Sequence, residues 1–355
     1  MTQNRFLRLL QERPFLMADG ATGTNLFAAG LMTGDSPEGW NLEHPERIEA
    51  LHQSFVDSGA DLFLTNSFGG TRQRLKLHGF QDRVYEINKL AAEIGRRIAD
   101  RAAQGPNGRE VIVAGSIGPT GELFEPLGPL TEEAGIAAFA EQARALKDGG
   151  VDVLWVETMS SKEEVAAAVK GAAATGLPVV TTMSFDTNGR TMMGITPAEF
   201  VEFVHSLEPK PVAYGANCGV GASDLVATIV QLADAARPGD VIVAKGNCGI
   251  PYFDAGKIKY NGTPELMADY ARIVRDAGAR IVGGCCGTSP DHLRSMRNAL
   301  ETHTPGARPS LAEITACLGK LTPGAEAQLS GADPVPATRR ARRRDRSAVG
   351  GDAAF

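Results

Sequence analysis

Two cysteines stand side by side in GGCCGTSPDHL, residues 283–293, in a chain of 355 residues that holds five cysteines in all. Neighbouring cysteines rarely bridge each other, because the ring they close is strained and a disulfide spans more than one peptide step. A third, Cys218, closes the run VAYGANC (212–218). In a reducing compartment such thiols bind metal or do chemistry more often than they cross-link. Zinc prefers four tetrahedral ligands and in catalytic sites keeps one place open, so Cys218, Cys285 and Cys286 together predict a zinc site with room for a substrate. A divalent ion among three thiolates carries net negative formal charge and is a poor Lewis acid for hydrolysis. A fourth thiol can still join it as the thiolate, because the ion lowers the thiol's pKa. The chemistry predicted is alkylation of a substrate thiol. Taken singly, each cysteine reads as a small buried apolar residue, and Cys248 and Cys317 keep that reading. The histidines His44, His52, His78, His205, His292 and His303 form no metal-binding spacing.

Only a fold that gathers distant strand ends can bring Cys218 to the later pair. Short apolar or β-branched runs recur at FLMADG (15–20), DLFLTNS (61–67), VIVAGS (111–116), DVLWVET (152–158), PVVTTMS (178–184), VAYGANC (212–218), VIVAKGN (241–247) and RIVGGCC (280–286). Between them lie segments of helical periodicity ending at glycine or alanine, such as AAFAEQARALKDGG (137–150) and TPELMADYARIVRDAGA (263–279). Eight strand and helix alternations predict an α/β fold, a (β/α)8 TIM barrel with a C-terminal extension, in preference to an open doubly wound sheet. In such barrels the reactive residues sit where strands end. These runs end in Asp19, Asn66, Ser116, Glu157, Ser184, Cys218, Asn247 and the Cys285-Cys286 pair. The glycine-rich turns GATGTN, GPTGEL and GVGASD expose amides suited to a carboxylate or phosphate, and none matches a Walker A loop or a GxGxxG fingerprint.

Length and a hydrophobic fraction of 43% allow one large core. The N-terminal residues lack the unbroken apolar stretch of a signal peptide and no segment is long enough to span a bilayer, so a soluble, cytoplasmic protein without membrane partners is expected. The segment TRRARRRDRS (338–347) holds six Arg and one Asp, a local +5 within a net charge of −6, which leaves −11 on the rest. An acidic body argues against nucleic acid as a partner. The expected organisation is a barrel over 1–303, a helical extension over 304–325 built on PSLAEITACLGKL, and a disordered Arg-rich tail over 326–355.

The runs DGATGTN, TNSFGGTR, GSIGPTGEL, WVETMS, GANCGVGASDL and GGCCGTSPDHL resemble the homocysteine S-methyltransferase family, which includes the homocysteine-binding module of cobalamin-dependent methionine synthase and the betaine–homocysteine methyltransferases. The likeness covers roughly residues 10–302. It implies a methyltransferase that forms methionine from homocysteine, with Cys218, Cys285 and Cys286 as zinc ligands and the homocysteine sulfur in the open place. Asn247 matches an asparagine that in the methionine synthase module can occupy the open place before substrate arrives. Asp19 and Glu157 match the acidic residues that take the substrate's ammonium group. The turn from Gly20 to Thr24 can offer amides to its carboxylate, and Ser116 and Asn217 are further substrate-binding candidates. Selectivity over selenohomocysteine depends on pocket volume, and a homo-oligomer would leave no simple signature in sequence.

Two donors suit this chemistry. Betaine, a quaternary ammonium, needs aromatic faces, and betaine enzymes of the family carry tyrosines where this chain has Gly69 and Thr158. Trp40 alone makes no cage. The stretches TNSFGGTRQRLKLHGF, GSIGPTGELFEPLG and MSFDTNGRTMMGITPAEF follow the methionine synthase module more closely. The sequence lacks a D-x-H-x-x-G corrinoid motif, so a methylcorrinoid donor would be a separate protein, as in a split methionine synthase. Betaine or a related onium donor is the alternative, and a non-catalytic zinc- and thiol-binding subunit a third reading.

Overall fold

The computed structural model describes residues 3–105, 108–254 and 257–331. Among the described residues there are ten strands: β1 Leu16–Met17, β2 Leu62–Leu64, β3 Ile112–Ile117, β4 Val153–Met159, β5 Val179–Met183, β6 Ala213–Cys218, β7 Ile242–Gly246, β8 Pro251–Asp254, β9 Lys257–Tyr260 and β10 Ile281–Gly284. Eight of them form one sheet in the order β1-β10-β7-β6-β5-β4-β3-β2, and every ladder within it is parallel. All eight anticipated runs lie in this sheet, and helices pack around it as the barrel expectation requires.

The seam between β1 and β2 is closed by carboxylates as well as by backbone. Asp61 donates its N–H to Met17 O at 2.7 Å and accepts Met17 N–H on Oδ2 at 2.8 Å, while Asp19 Oδ2 accepts Leu64 N–H at 2.8 Å. Asp61 is in turn met by the guanidinium groups of Arg13 at 2.6 Å and Arg297 at 2.9 Å.

Period-two alternation sorts each strand into a barrel-facing row and a helix-facing row. Leu16, Leu62, Ile112, Ala114, Val153, Trp155, Val180, Ala213, Val243 and Ile281 pack inside, plugged from below by Phe6 and Leu9 of the helix Arg5–Glu12. The alternate row, including Met17, Phe63, Val113, Leu154 and Val156, packs against the helices. Continuing the inward row towards the strand ends turns it polar. Ile112 and Ala114 lead to Ser116, Val153 and Trp155 to Glu157, Ala213 to Asn217, Val243 to Lys245, and Ile281 to Cys285. The site is therefore the top layer of the barrel interior.

Two differences from expectation concern what surrounds the barrel. The antiparallel hairpin β8–β9, inserted after β7, pairs Pro251 with Tyr260 and Asp254 with Lys257. Among the described residues, two helices rather than one follow the barrel, Leu311–Leu318 and Pro323–Leu329. Thr322 N–H reaches Asp224 Oδ1 at 2.9 Å and the Gln328 side chain reaches Asn188 O at 3.1 Å, so the extension is fastened to the barrel past the expected boundary at 325. The rest of the anticipated Arg-rich tail lies outside the described residues.

Candidate active site

Cys218 and the Cys285-Cys286 pair, on strands six and eight of the barrel, meet at its C-terminal mouth. Cys218 Sγ lies 2.9 Å from Cys285 Sγ and 3.8 Å from Cys286 Sγ, and all three sulfurs fall within 4.8 Å of one another. Ligand sulfurs at ~2.3 Å from a tetrahedral ion lie roughly 3.8 Å apart, so the cluster fits one thiophilic metal. Three sulfurs this close cannot all carry charge without a cation. Hydrogen bonds to Cys285 and Cys286, followed by burial, push the Cys218 thiol well up, while bonds from Cys218, Cys285 and the Tyr260 hydroxyl pull Cys286 down. Tyr260 closes β9, so the unanticipated hairpin brings a phenol onto the cluster.

Backbone geometry here is unusual. Cys218 has φ +59° and Thr158 φ +61°, left-handed values that cost a side-chain-bearing residue ~1–2 kcal/mol each. The β4–β5 register shifts between Val156 and Met159, so Glu157 and Thr158 form a bulge.

Asn247 donates Nδ2 to Gly219 O at 2.8 Å, and its Oδ1 is buried without a hydrogen-bond partner. Cys248 bonds Cys286 O through its backbone N–H at 2.9 Å, but its sulfur is not one of the three and packs in the hydrophobic core, where burial pushes the thiol up to about 12. Cys317 is exposed on the added helix.

A cavity of about 330 Å³ sits over the sulfurs, lined among others by Asp19, Glu157, Lys245 and the turn Gly20–Thr24. Glu157 Oε1 accepts the Ser116 hydroxyl at 2.5 Å, and burial raises the carboxyl to about 7 against the pull of Lys245 and of that hydroxyl. Asp19 does not face the cavity alone. Its Oδ1 accepts Lys245 Nζ at 2.6 Å, with side-chain exposures of 1% and 3%. Burial pushes the Asp19 carboxyl up while Lys245 pulls against it. Burial also works against the charge on Lys245, but Asp19 first and then Glu157 outweigh it and keep it an ammonium. Sequence reasoning passed over Lys245, although a lysine inside VIVAK at an inward position was its signal.

Gly20 lies where a Cβ would come 2.6 Å from Thr288 O, so only glycine lets this turn approach the cysteine loop. Thr24 Oγ1 accepts Gly287 N–H at 3.2 Å, tying the same turn to the loop after Cys286. The turn opens the helix Thr22–Ala28, whose first amides have no side-chain cap. Asn217, expected to touch substrate, lies fully buried with its amide engaged by Thr158 and Thr182. It is a brace beneath the pocket.

Around the mouth, Gly69 N–H bonds Glu38 Oε1 at 2.6 Å, and a Cβ at 69 would stand 2.9 Å from that oxygen. A tyrosine there would displace Glu38. Trp40 is buried with the Arg47 guanidinium 4.8 Å from its ring centre. The aromatic rings in the cavity wall are Phe27 and Phe68.

A parallel eight-stranded barrel that gathers three cysteine sulfurs beside buried carboxylates defines a (β/α)8 protein with a cysteine cluster that fits a metal. The family model described as homocysteine S-methyltransferase matches residues 16–300. The methionine synthase of Mycobacterium tuberculosis is 32% identical over 310 residues, covering 83% of this chain and 25% of that protein. That of Mycobacterium leprae is 30% identical over 309 residues, again 83% and 25%. The chain thus spans about a quarter of the length of these relatives. Among solved structures, the Escherichia coli homocysteine methyltransferase MmuM superposes in its metallated form with TM-score 0.69 at 25% identity, covering 82% of this chain and 98% of that one. Its oxidized form gives 0.70 at 25% identity, with coverage of 83% and 99%. This chain belongs to the homocysteine S-methyltransferase family.

Proposed function

We propose that the chain binds zinc through Cys218, Cys285 and Cys286 and makes methionine by transferring a methyl group to homocysteine, with a separate methylcorrinoid protein as donor. The observation that carries this reading is the convergence of three sulfurs within 4.8 Å beside Glu157 in one cavity. When bound, zinc would supply the charge that lets a substrate thiol lose its proton near neutral pH while its sulfur stays nucleophilic. Asn247, with its unpartnered Oδ1, is the protein group proposed to fill the remaining position before substrate arrives.

The protein's own groups then orient a zwitterion. The Asp19–Lys245 pair is close to neutral and the Glu38 carboxylate is taken up by the Gly69 N–H and the Ser36 hydroxyl, which leaves Glu157 as the carboxylate offered to the substrate ammonium. Ser116 holds Glu157 Oε1, turning the other oxygen to the substrate ammonium. The uncapped amides opening the helix Thr22–Ala28 receive the substrate carboxylate, and Thr24 and Gly20 hold that turn against the cysteine loop. As the sulfur attacks, the carbon–sulfur bond forms while the donor keeps the electron pair of its broken bond to the methyl carbon. A cytoplasmic location fits thiols that stay reduced. Among the described residues no helix is long and apolar enough to cross a membrane.

Phe27 and Phe68 in the cavity wall favour a second reading, with betaine or another onium as donor. A donor panel on zinc-loaded protein separates the two by measuring methionine formed. Methylation by a methylcorrinoid protein and not by betaine supports the first reading, and rapid turnover with betaine alone overturns it. Zinc and homocysteine binding with no turnover on any donor would leave a thiol-binding subunit.

A further inference from the structure

We infer that Asn217 is a positioning residue that sets the spacing between Glu157 and the sulfur cluster, and with it the length of thiol amino acid the pocket accepts. The inference rests on the homocysteine reading above. Among the described residues, Thr158, Asn188 and Cys218 are the non-glycine positions with left-handed φ. Asn188 sits in the turn TNGR, where an Asn before Gly is at home. Thr158 and Cys218 are different, because nothing local favours them. A β-branched threonine at φ +61° is an outlier that its surroundings must hold in place.

One side chain holds it. Asn217 Oδ1 accepts Thr158 N–H at 2.9 Å and the Thr182 hydroxyl at 2.6 Å, and Nδ2 donates to Thr158 Oγ1 at 2.7 Å. The same Nδ2 lies 3.9 Å from Cys285 Sγ, and the next residue along the chain is Cys218. Asn217 thus grips the bulge that carries Glu157 with its side chain and feeds the cysteine cluster with its backbone. An asparagine suits the task because it offers an acceptor and a donor from one rigid plane.

Homocysteine and cysteine differ by one methylene between the sulfur and the carbon bearing the ammonium. If both anchors are fixed at the spacing that suits homocysteine, the shorter molecule gives up one of the two contacts. If Asn217 is cut back, Thr158 can relax toward extended backbone and Glu157 can follow the shorter substrate.

Calorimetric titration of zinc-loaded protein with homocysteine and with cysteine tests this without any methyl donor. Wild type should prefer homocysteine, and Asn217→Ala should narrow that preference by on the order of 10-fold, the scale of one-methylene discrimination. Thr182→Val, which removes one donor to Oδ1 at nearly constant shape, should narrow it less, and both variants should keep stoichiometric zinc. A lower melting temperature with the preference intact would make Asn217 a fold brace only and overturn the inference. If Asn217→Ala does not fold, an unchanged preference in Thr182→Val overturns it alone. Failure of every donor leaves this binding test standing, whereas wild-type protein that binds zinc and no homocysteine refutes both readings.

Discussion

Lys245→Met removes the cation from a pair that the fold has almost wholly taken out of water. Lys245 Nζ and Asp19 Oδ1 are 2.6 Å apart, at 3% and 1% side-chain exposure. Removing one partner of such a pair leaves a buried charge uncompensated and typically costs ~3–5 kcal/mol. Here the damage reaches the barrel seam, because Asp19 Oδ2 also accepts the Leu64 N–H that joins β1 to β2. Urea unfolding followed by circular dichroism should therefore show a loss of that size, on the order of 4–7 °C if read as a melting temperature. The loss should also depend on pH. Without Lys245, burial leaves the Asp19 carboxyl above its unfolded value. A carboxyl raised in the folded state gives most stability below its unfolded pKa and loses it as pH rises through the folded one. The deficit should thus shrink from pH 8 towards pH 5, and Asp19→Asn in the Lys245→Met background should remove the slope. A deficit below ~1 kcal/mol, or one flat across pH, would show that the pair does not hold the seam and refute the reasoning.

Three further outcomes follow from the same geometry. Cys286→Ser should lose stoichiometric zinc, measured by chelator competition, and with it methionine formation, while a wild-type protein stripped by the chelator should regain both when zinc returns. Glu157→Gln should raise the homocysteine KM about 10- to 100-fold through loss of a charged hydrogen bond. Because burial holds Glu157 at about 7, wild-type affinity should rise as pH goes from 6 to 8, beyond any rise left in the glutamine variant. His52 is buried with neither ring nitrogen partnered, and burial lowers it from 6.5 to about 3. A depressed histidine keeps its contribution above the unfolded pKa and loses stability as pH falls, here by up to about 5 kcal/mol between 6.5 and 3, and His52→Leu should flatten that acid limb in urea titrations.

The barrel was legible because its evidence is periodic. Each strand needs a short apolar run, each helix a three- and four-residue repeat, and both are written locally. The sulfur cluster was legible for a related reason, since residues at barrel strand ends must share a rim wherever they fall in sequence. What sequence did not show depends on contacts between strands. Asn217 looked like a substrate ligand because its type and place allowed it. Only the bulge at Thr158, 59 residues upstream, turns it into a brace. Lys245 was hidden by its neighbours, since VIVAKG reads as a buried strand unless the inward row is counted. The hairpin bearing Tyr260 was missed because a loop insertion carries little periodic signal over four-residue strands.

These omissions change how the site is understood. Two carboxylates at strand ends suggest a doubly negative grip on the substrate ammonium, yet Lys245 cancels one of them and ties it into the seam. The pocket then offers Glu157 to a single positive charge, beside sulfurs that themselves demand a cation. A zwitterionic thiol suits this balance under the proposed function, in which its ammonium would meet Glu157 and its carboxylate the uncapped amides at Thr22. A plain alkyl thiol would leave Glu157 buried with the Ser116 hydroxyl but without an ammonium. The same pocket should therefore discriminate against thiols lacking the amino group more strongly than against those altered at the carboxylate, because the amides that receive the carboxylate can return to water at the cavity mouth while Glu157 cannot. Competition by 4-mercaptobutyrate and by homocysteine methyl ester against homocysteine would measure that order, and equal inhibition by the two would contradict a site organised around one carboxylate.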